Sequence, residues 1–198
     1  MPELSSRDVA GRRARFAKIA HENETPLMRT ALRLCAGDMD RASDLVQDAL
    51  VRGYQAFVDG GFLEGSNAKA WLLRILTNAF INDYRRKKRW DSGIDIDTLT
   101  ASGEAGPEST HAAPADQPGH ILLEGLLDEE LEMALKALSP LLRSCVVLVD
   151  IEGLEYAEAA QSLGIPIGTV RSRLARARMQ LHDLLVEFGR RRGLIGRR

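Results

Sequence analysis

The sequence predicts an all-α protein made of two small helical domains joined by a flexible acidic linker. Three observations carry this. Apolar residues in both halves recur at helical spacing, three and four apart. No stretch alternates apolar and polar residues between turn signals, as a half-buried strand would. Asp91–Gly119 is rich in Gly, Pro, Ser, Ala and Asp, with Ile94, Ile96 and Leu99 as its large apolar residues. Such a segment cannot bury enough surface to offset the entropy of ordering it. The expected layout is an N-terminal extension at 1–20, a domain at 21–90, the linker at 91–122, a second domain at 123–190 and a basic tail at 191–198.

Thr25-Pro26 reads as an N-cap followed by Pro at the first helical position. Leu27, Met28, Ala31, Leu32 and Cys35 then repeat at helical spacing until Gly37. Asp40 is the expected cap of a second helix carrying Leu45, Val46, Ala49, Leu50, Tyr54 and Phe57, which Gly60-Gly61 breaks. A loop over 61–67 leads to a third helix at about Ala68–Lys88, with Trp71, Leu72, Ile75, Leu76, Ala79, Phe80 and Tyr84 on its apolar side. In the second half, Leu126, Leu127, Leu131, Ala134, Leu135 and Leu138 form a stripe. Ser139-Pro140 starts a helix through Val149 that Gly153 ends, and two more helices are broken at Gly164-Ile165-Pro166.

The chain has 198 residues, enough for two small cores. No apolar run approaches the roughly 20 residues of a membrane span. Residues 1–20 hold Arg7, Arg12, Arg13 and Arg15 but no apolar h-region, so no secretory signal is expected. Cys35 and Cys145 lie too far apart in sequence to suggest a disulfide framework or a zinc site. Both fall on apolar stripes and read as core residues. A reducing cytoplasm is the expected address.

The net charge of −1 hides strong segregation. Residues 91–130 contain ten acids and no base, a net of −10. Residues 69–89 carry +6 and residues 171–198 carry +7. Two basic blocks flanking an acidic connector point to nucleic acid, which the overall charge would not.

The segment 155–178 has the spacing of a helix-turn-helix. Ala160 is small where two helices must approach, Gly164 supplies the turn, and Val170 plugs the angle between them. Leu174, Ala177 and Leu181 continue the buried stripe. Thr169, Arg171, Ser172, Arg173 and Arg176 remain near the start of the second helix, the part of a recognition helix that reaches base edges and phosphates. A plain helical hairpin with a solvated Arg face is the bland alternative. It does not account for small-residue spacing, turn Gly and Arg cluster together.

On the third helix, Arg74, Asn78, Asn82 and Arg85 lie opposite the apolar stripe, and Arg85, Arg86, Lys87, Lys88 and Arg89 follow. Amides beside a cationic end suit base edges and phosphates, and nearby aromatics could stack on unpaired bases. A polar face with a cationic helix end explains the same residues equally well. The second helix exposes Asp44, Gln47, Asp48 and Arg52. On composition alone these are solvated charges.

Three stretches together resemble the extracytoplasmic-function (ECF) sigma factors of bacterial RNA polymerase: 44–52 (DLVQDALVR), 70–89 (AWLLRILTNAFINDYRRKKR) and the helix-turn-helix. The resemblance covers about 20–90 and 125–190, in the right order. It implies that Asp44, Leu45, Gln47 and Asp48 dock on the β′ clamp of core polymerase, with the β subunit as a further contact. It implies that the loop from Phe62 to Asn67, with Trp71, Asn78 and Asn82, melts the −10 element and captures a flipped base. Arg85–Arg89 would hold phosphates there. Thr169, Arg171, Ser172, Arg173 and Arg176 would read the −35 element. The acidic linker would thread near the RNA exit path. A finer likeness, in 65–82 and 188–195, is to the thiol-oxidative-stress subgroup, whose members are held by a zinc-binding anti-sigma factor. The implied function is an alternative sigma factor in a stress response, with core polymerase, promoter DNA and an anti-sigma factor as partners and no cofactor, metal or small-molecule substrate.

A conventional helix-turn-helix regulator is the main rival, and it predicts tight DNA binding without polymerase, usually as a dimer. A sigma-like anti-terminator or plasmid factor would keep the fold without the promoter role. An enzyme is not expected. His21, His111, His120 and His182 have no metal spacing, and Gly60–Gly65 lacks the Lys and Ser/Thr of a phosphate loop.

Overall fold

The computed structural model describes residues 6–63, 65–92 and 128–191, and every regular element among them is helical. In order these are α1 (Ser6–Leu34), α2 (Met39–Val58), α3 (Ala68–Ser92), α4 (Asp128–Ala137), α5 (Pro140–Val146), a π-helical turn (Val147–Ile151), α6 (Tyr156–Leu163) and α7 (Ile167–Arg191).

In the N-terminal unit α1, α2 and α3 all pack on one another. Leu27, Ala31 and Leu34 meet Ala42, Val46 and Ala49 of α2 and Leu72, Leu76 and Phe80 of α3 in its core. The Thr25-Pro26 pair does not open a helix, because α1 runs straight through it. Pro26 removes one N–H from the ladder. The neighbouring turns add side-chain bonds: Asn23 Nδ2 donates to the Ile19 carbonyl at 2.8 Å and Thr30 Oγ1 to the Pro26 carbonyl at 3.1 Å. The first half of α1 is held by tertiary packing, with the buried Phe16 ring 5.5 Å from Tyr54 and 5.7 Å from Phe57. Phe16, within the stretch expected as an extension, thus packs in this unit.

The cap of α2 is Asp38, whose Oδ1 accepts the Arg41 N–H at 3.1 Å, and Asp40 sits in the first turn, where a carboxylate still suits the helix dipole. Helix α3 continues past Lys88 to Ser92. The expected linker from residue 93 onward, the Leu126–Leu127 part of the fourth stripe and the tail from 192 lie outside the described residues.

The C-terminal unit begins with α4. Ser139-Pro140 opens α5 as expected, but after Val146 the helix widens into the π turn. The wider turn places both Val147 and Leu148 fully in the core. Gly164 ends α6 with φ +61°, a left-handed conformation that costs Gly little, and the Ile165 N–H returns to the Ala160 carbonyl at 3.1 Å. Val170, Leu174, Ala177 and Leu181 are buried along α7. The small residue buried in α6 is Ala159; Ala160, expected in that role, is half-buried and supplies the capping carbonyl.

The two units meet directly. Helix α1 touches α4, α5 and the π turn, and α3 touches α6, so the apolar cores merge into one cluster.

Candidate nucleic-acid interface

Helix α2 presents Asp44 and Gln47 to solvent, with Asp48 half-buried beside them. Arg52 donates through Nε to both oxygens of Asp48, at 2.8 and 2.9 Å, one turn along the helix. Leu45 is a core residue at the base of this face. Between α2 and α3 runs a groove of about 820 Å³, lined on one side by Asp44, Leu45 and Asp48 and on the other by Asn82, Arg86 and Lys87.

Helix α3 carries the second group. Asn67 caps it, its Oδ1 accepting the Ala70 N–H at 3.1 Å. Asn78 and Asn82 are exposed one turn apart, opposite the buried Leu72, Leu76 and Phe80. Arg85 is half-buried, Arg86 and Lys87 are exposed, Lys88 is half-buried and Arg89 lies on the same helix. Asp83, a residue that sequence reasoning passed over, sits among these bases. It accepts from Arg86 at 2.8 Å and pairs with Lys87 at 3.0 Å and with Arg41 of α2 at 3.6 Å. Partial burial would raise its carboxyl pKa, but Lys87 and Arg86 outweigh that and hold it below the usual value.

Trp71 is placed differently from a stacking platform. It is 8% exposed and packs on Phe62 with ring centroids 4.9 Å apart, while Phe62 stacks on Phe57 at 5.7 Å. The indole is therefore an anchor under the 61–67 loop. The loop's own exposed apolar group is Leu63, at 79%.

The third group is the start of α7. Arg171, Ser172 and Arg176 are exposed and Thr169 is half-buried. The Arg171 guanidinium lies over the Tyr156 ring, 5.9 Å from its centroid, and Ser172 Oγ donates to the Thr169 carbonyl at 3.1 Å. Arg173 is half-buried, and burial together with the nearby Arg85 lowers its pKa from the ordinary guanidinium value. Arg178 points elsewhere. It forks onto Asp150 of the π turn, and that bond pushes its pKa up. Both cysteines are buried, and burial raises Cys35 and pushes Cys145 up to about 11.

The arrangement offers an acidic face on α2, an amide-and-base face on α3 and an arginine-bearing helix-turn-helix. Comparisons with known proteins bear on all three. The family model for Sigma-70 region 2 matches residues 19–90, and that for Sigma-70, region 4 matches residues 128–181. The chain is 36% identical over 164 residues to the ECF RNA polymerase sigma factor EcfG of Rhodopseudomonas palustris, which covers 83% of this chain and 82% of that one. This chain belongs to the ECF RNA polymerase sigma factors. It is also 36% identical over 174 residues to SigE of Mycolicibacterium smegmatis, spanning 86% of this sigma factor and 61% of that relative's length. Among solved structures it is similar to the sigma factor RpoE in complex with the anti-sigma factor NepR from Bartonella quintana, with TM-score 0.57 and 32% identity over 87% of this chain and 95% of that one.

Other residues that sequence reasoning missed join the two units of this ECF sigma factor. Thr30, Lys69 and Glu152 meet across the interface, as do Arg33 with Glu132 and Arg74 with Gln161. Each pair is separated by dozens of residues, so no local spacing announces it.

Proposed function

We propose that this ECF sigma factor binds core RNA polymerase, directs it to a promoter and opens the DNA there. The observation that supports this best is the pairing of two reading helices in one chain. Helix α3 turns Asn78 and Asn82 outward, α7 turns Arg171, Ser172 and Arg176 outward, and both bury their apolar stripes. In this reading Asp44, Gln47 and Asp48 dock on the β′ clamp, Leu45 supports them from below, and the β subunit supplies a further contact. Thr169, Arg171, Ser172, Arg173 and Arg176 read the −35 element. Asn78 and Asn82 face unpaired bases of the −10 element, and Arg85–Arg89 hold phosphates.

The work done is binding work, with no catalytic step. Unstacking DNA costs roughly a few kcal/mol per step. Capture of extruded bases at the 61–67 loop, over the Phe62–Trp71 anchor, offsets part of that. Control by an anti-sigma factor belongs to the same reading, supported by the likeness to the NepR-bound relative.

Run-off transcription with purified bacterial core polymerase, on the genomic region upstream of this protein's own gene, tests the proposal. A defined start site that needs the protein is the expected result. Tight footprinting by the protein alone, with no start site, overturns it in favour of a conventional DNA-binding regulator.

A further inference from the structure

The two reading helices face each other at close range. Arg74 of α3 donates to Gln161 of α6 at 3.4 Å. Arg85 Nη1 lies 4.0 Å from where a Cβ on Gly164 would stand, and Arg173 is desolvated beside Arg85. A −10 reader in contact with a −35 reader cannot sit on two duplex sites separated by about 34 Å per helical turn. Under the proposed function, the domains must therefore part before both elements are read.

Beside the merged apolar core, a polar cluster also joins the two units. Glu152 ends the π turn, its side chain 7% exposed. Its Oε1 accepts from Thr30 Oγ1 of α1 at 2.5 Å, and its Oε2 pairs with Lys69 Nζ of α3 at 2.9 Å. One carboxylate of the C-terminal unit thus ties two helices of the N-terminal unit. Arg33–Glu132, at 2.9 Å, flanks it. At the edge of the interface Gly37 faces Lys136, whose Cε would lie 2.7 Å from any added Cβ. A buried carboxylate is costly unless it is paired; Thr30 and Lys69 pair this one while the units are closed, and opening rehydrates it. Lys69 is also a base two residues beyond the Asn67 cap, at the foot of the loop assigned to the −10 element. While closed, it is neutralised by Glu152 rather than available to a phosphate.

We propose that Thr30, Lys69 and Glu152 form an autoinhibitory latch. The Glu152 carboxylate occupies Lys69 in the free protein, holds the two DNA-reading domains face to face, and is displaced when polymerase and promoter separate them. Asp44 and Gln47 of the proposed docking face stay exposed in the latched form, so polymerase can engage before the latch opens. The inhibitory part rests on the sigma-factor reading; the closure itself does not.

Small-angle X-ray scattering of the free protein tests closure, with fluorescence anisotropy on a labelled duplex from upstream of its own gene testing inhibition. Glu152→Gln keeps the side-chain size and removes the charge, Lys69→Ala removes the cation, and circular dichroism checks that helicity is retained. Glu22→Gln, an exposed acid away from the interface, controls for net charge. Glu152→Gln and Lys69→Ala are expected to enlarge the particle. Glu152→Gln is expected to bind the duplex about tenfold more tightly, the scale of a lost charge-assisted hydrogen bond. Lys69→Ala is expected to gain less, having lost a phosphate contact as well. If Glu152→Gln fails to fold, Thr30→Val and Lys69→Ala carry the scattering test. Unchanged scattering in folded variants overturns the latch. Expansion without tighter DNA binding, or a gain matched by Glu22→Gln, overturns the inhibitory role. Run-off transcription by the wild type reads the sigma function separately.

Discussion

Phe62 and Trp71 pack at 4.9 Å between ring centroids, and with the Phe57–Phe62 stack this contact ties the loop before α3 to the core of the N-terminal unit. Trp71 is buried and Phe62 is half-buried, so the two rings have different duties. Trp71→Ala leaves a cavity in the core and is expected to cost about 3–5 kcal/mol of stability. Phe62→Ala is expected to cost less in melting temperature and more in promoter opening. Thermal melts read the first effect, and permanganate reactivity of the −10 region in a polymerase complex reads the second. Loss of opening in proportion to lost stability for both variants would remove the loop-anchor role.

Arg178 separates structure from DNA reading on α7. Its fork onto Asp150 has two bonds, Nη2–Oδ1 at 2.6 Å and Nε–Oδ2 at 3.1 Å, but the arginine is nearly half exposed. Solvent screening limits such a pair to about 1 kcal/mol. Arg178→Ala is expected to lower the urea midpoint slightly and leave −35 selectivity intact. Arg171→Ala is expected to do the reverse. Chemical denaturation together with footprinting of −35 mutants distinguishes them.

Much of this was legible beforehand for physical reasons that differ by element. The turn at Gly164 and the buried Val170, Leu174, Ala177 and Leu181 follow from local spacing, because a tight helix-turn-helix is fixed by neighbours in sequence. Thr25-Pro26 reads locally as a helix start, but α1 runs through it, since the packing of Phe16 on Tyr54 and Phe57 holds the preceding turns helical. Trp71 falls on the apolar stripe of α3 and is tied to the −10 element only by the family resemblance; the fold places it under Phe62. Leu45 counts among docking residues by its position in a motif, yet it is buried. The Thr30–Glu152–Lys69 cluster had no sequence signal at all, since its members lie on three elements.

Stability should respond to pH on both sides of neutrality. Asp83 has a lowered pKa, so its contribution is present above its ordinary value of 3.8 and is lost as pH falls through the folded value. Burial pushes Cys145 up to about 11 from 9.0, so the folded state keeps its proton while the unfolded state loses it. That contribution is present below pH 9.0 and is lost as pH rises toward 11. Urea midpoints of Asp83→Asn should fall less than those of the wild type on acidification, and Cys145→Ala should flatten the alkaline limb. Parallel curves for variant and wild type would contradict the assignment.

The bases of α3 and α7 should differ in what they contribute to DNA binding. Arg86 and Lys87 are exposed and held by Asp83, whose carboxylate a phosphate would have to replace. Phosphate contacts set affinity without reading sequence, so Arg86→Ala should weaken promoter and scrambled duplex alike and reduce the log–log salt slope by about 1. Arg171→Ala, on the helix-turn-helix, should weaken the promoter more than the scrambled duplex, by about 1–3 kcal/mol at one base position. Salt titrations of the polymerase complex on both duplexes measure the two effects together. Equal losses on both duplexes for Arg171→Ala would reassign it to the backbone, and sequence-dependent loss for Arg86→Ala would move it to base readout.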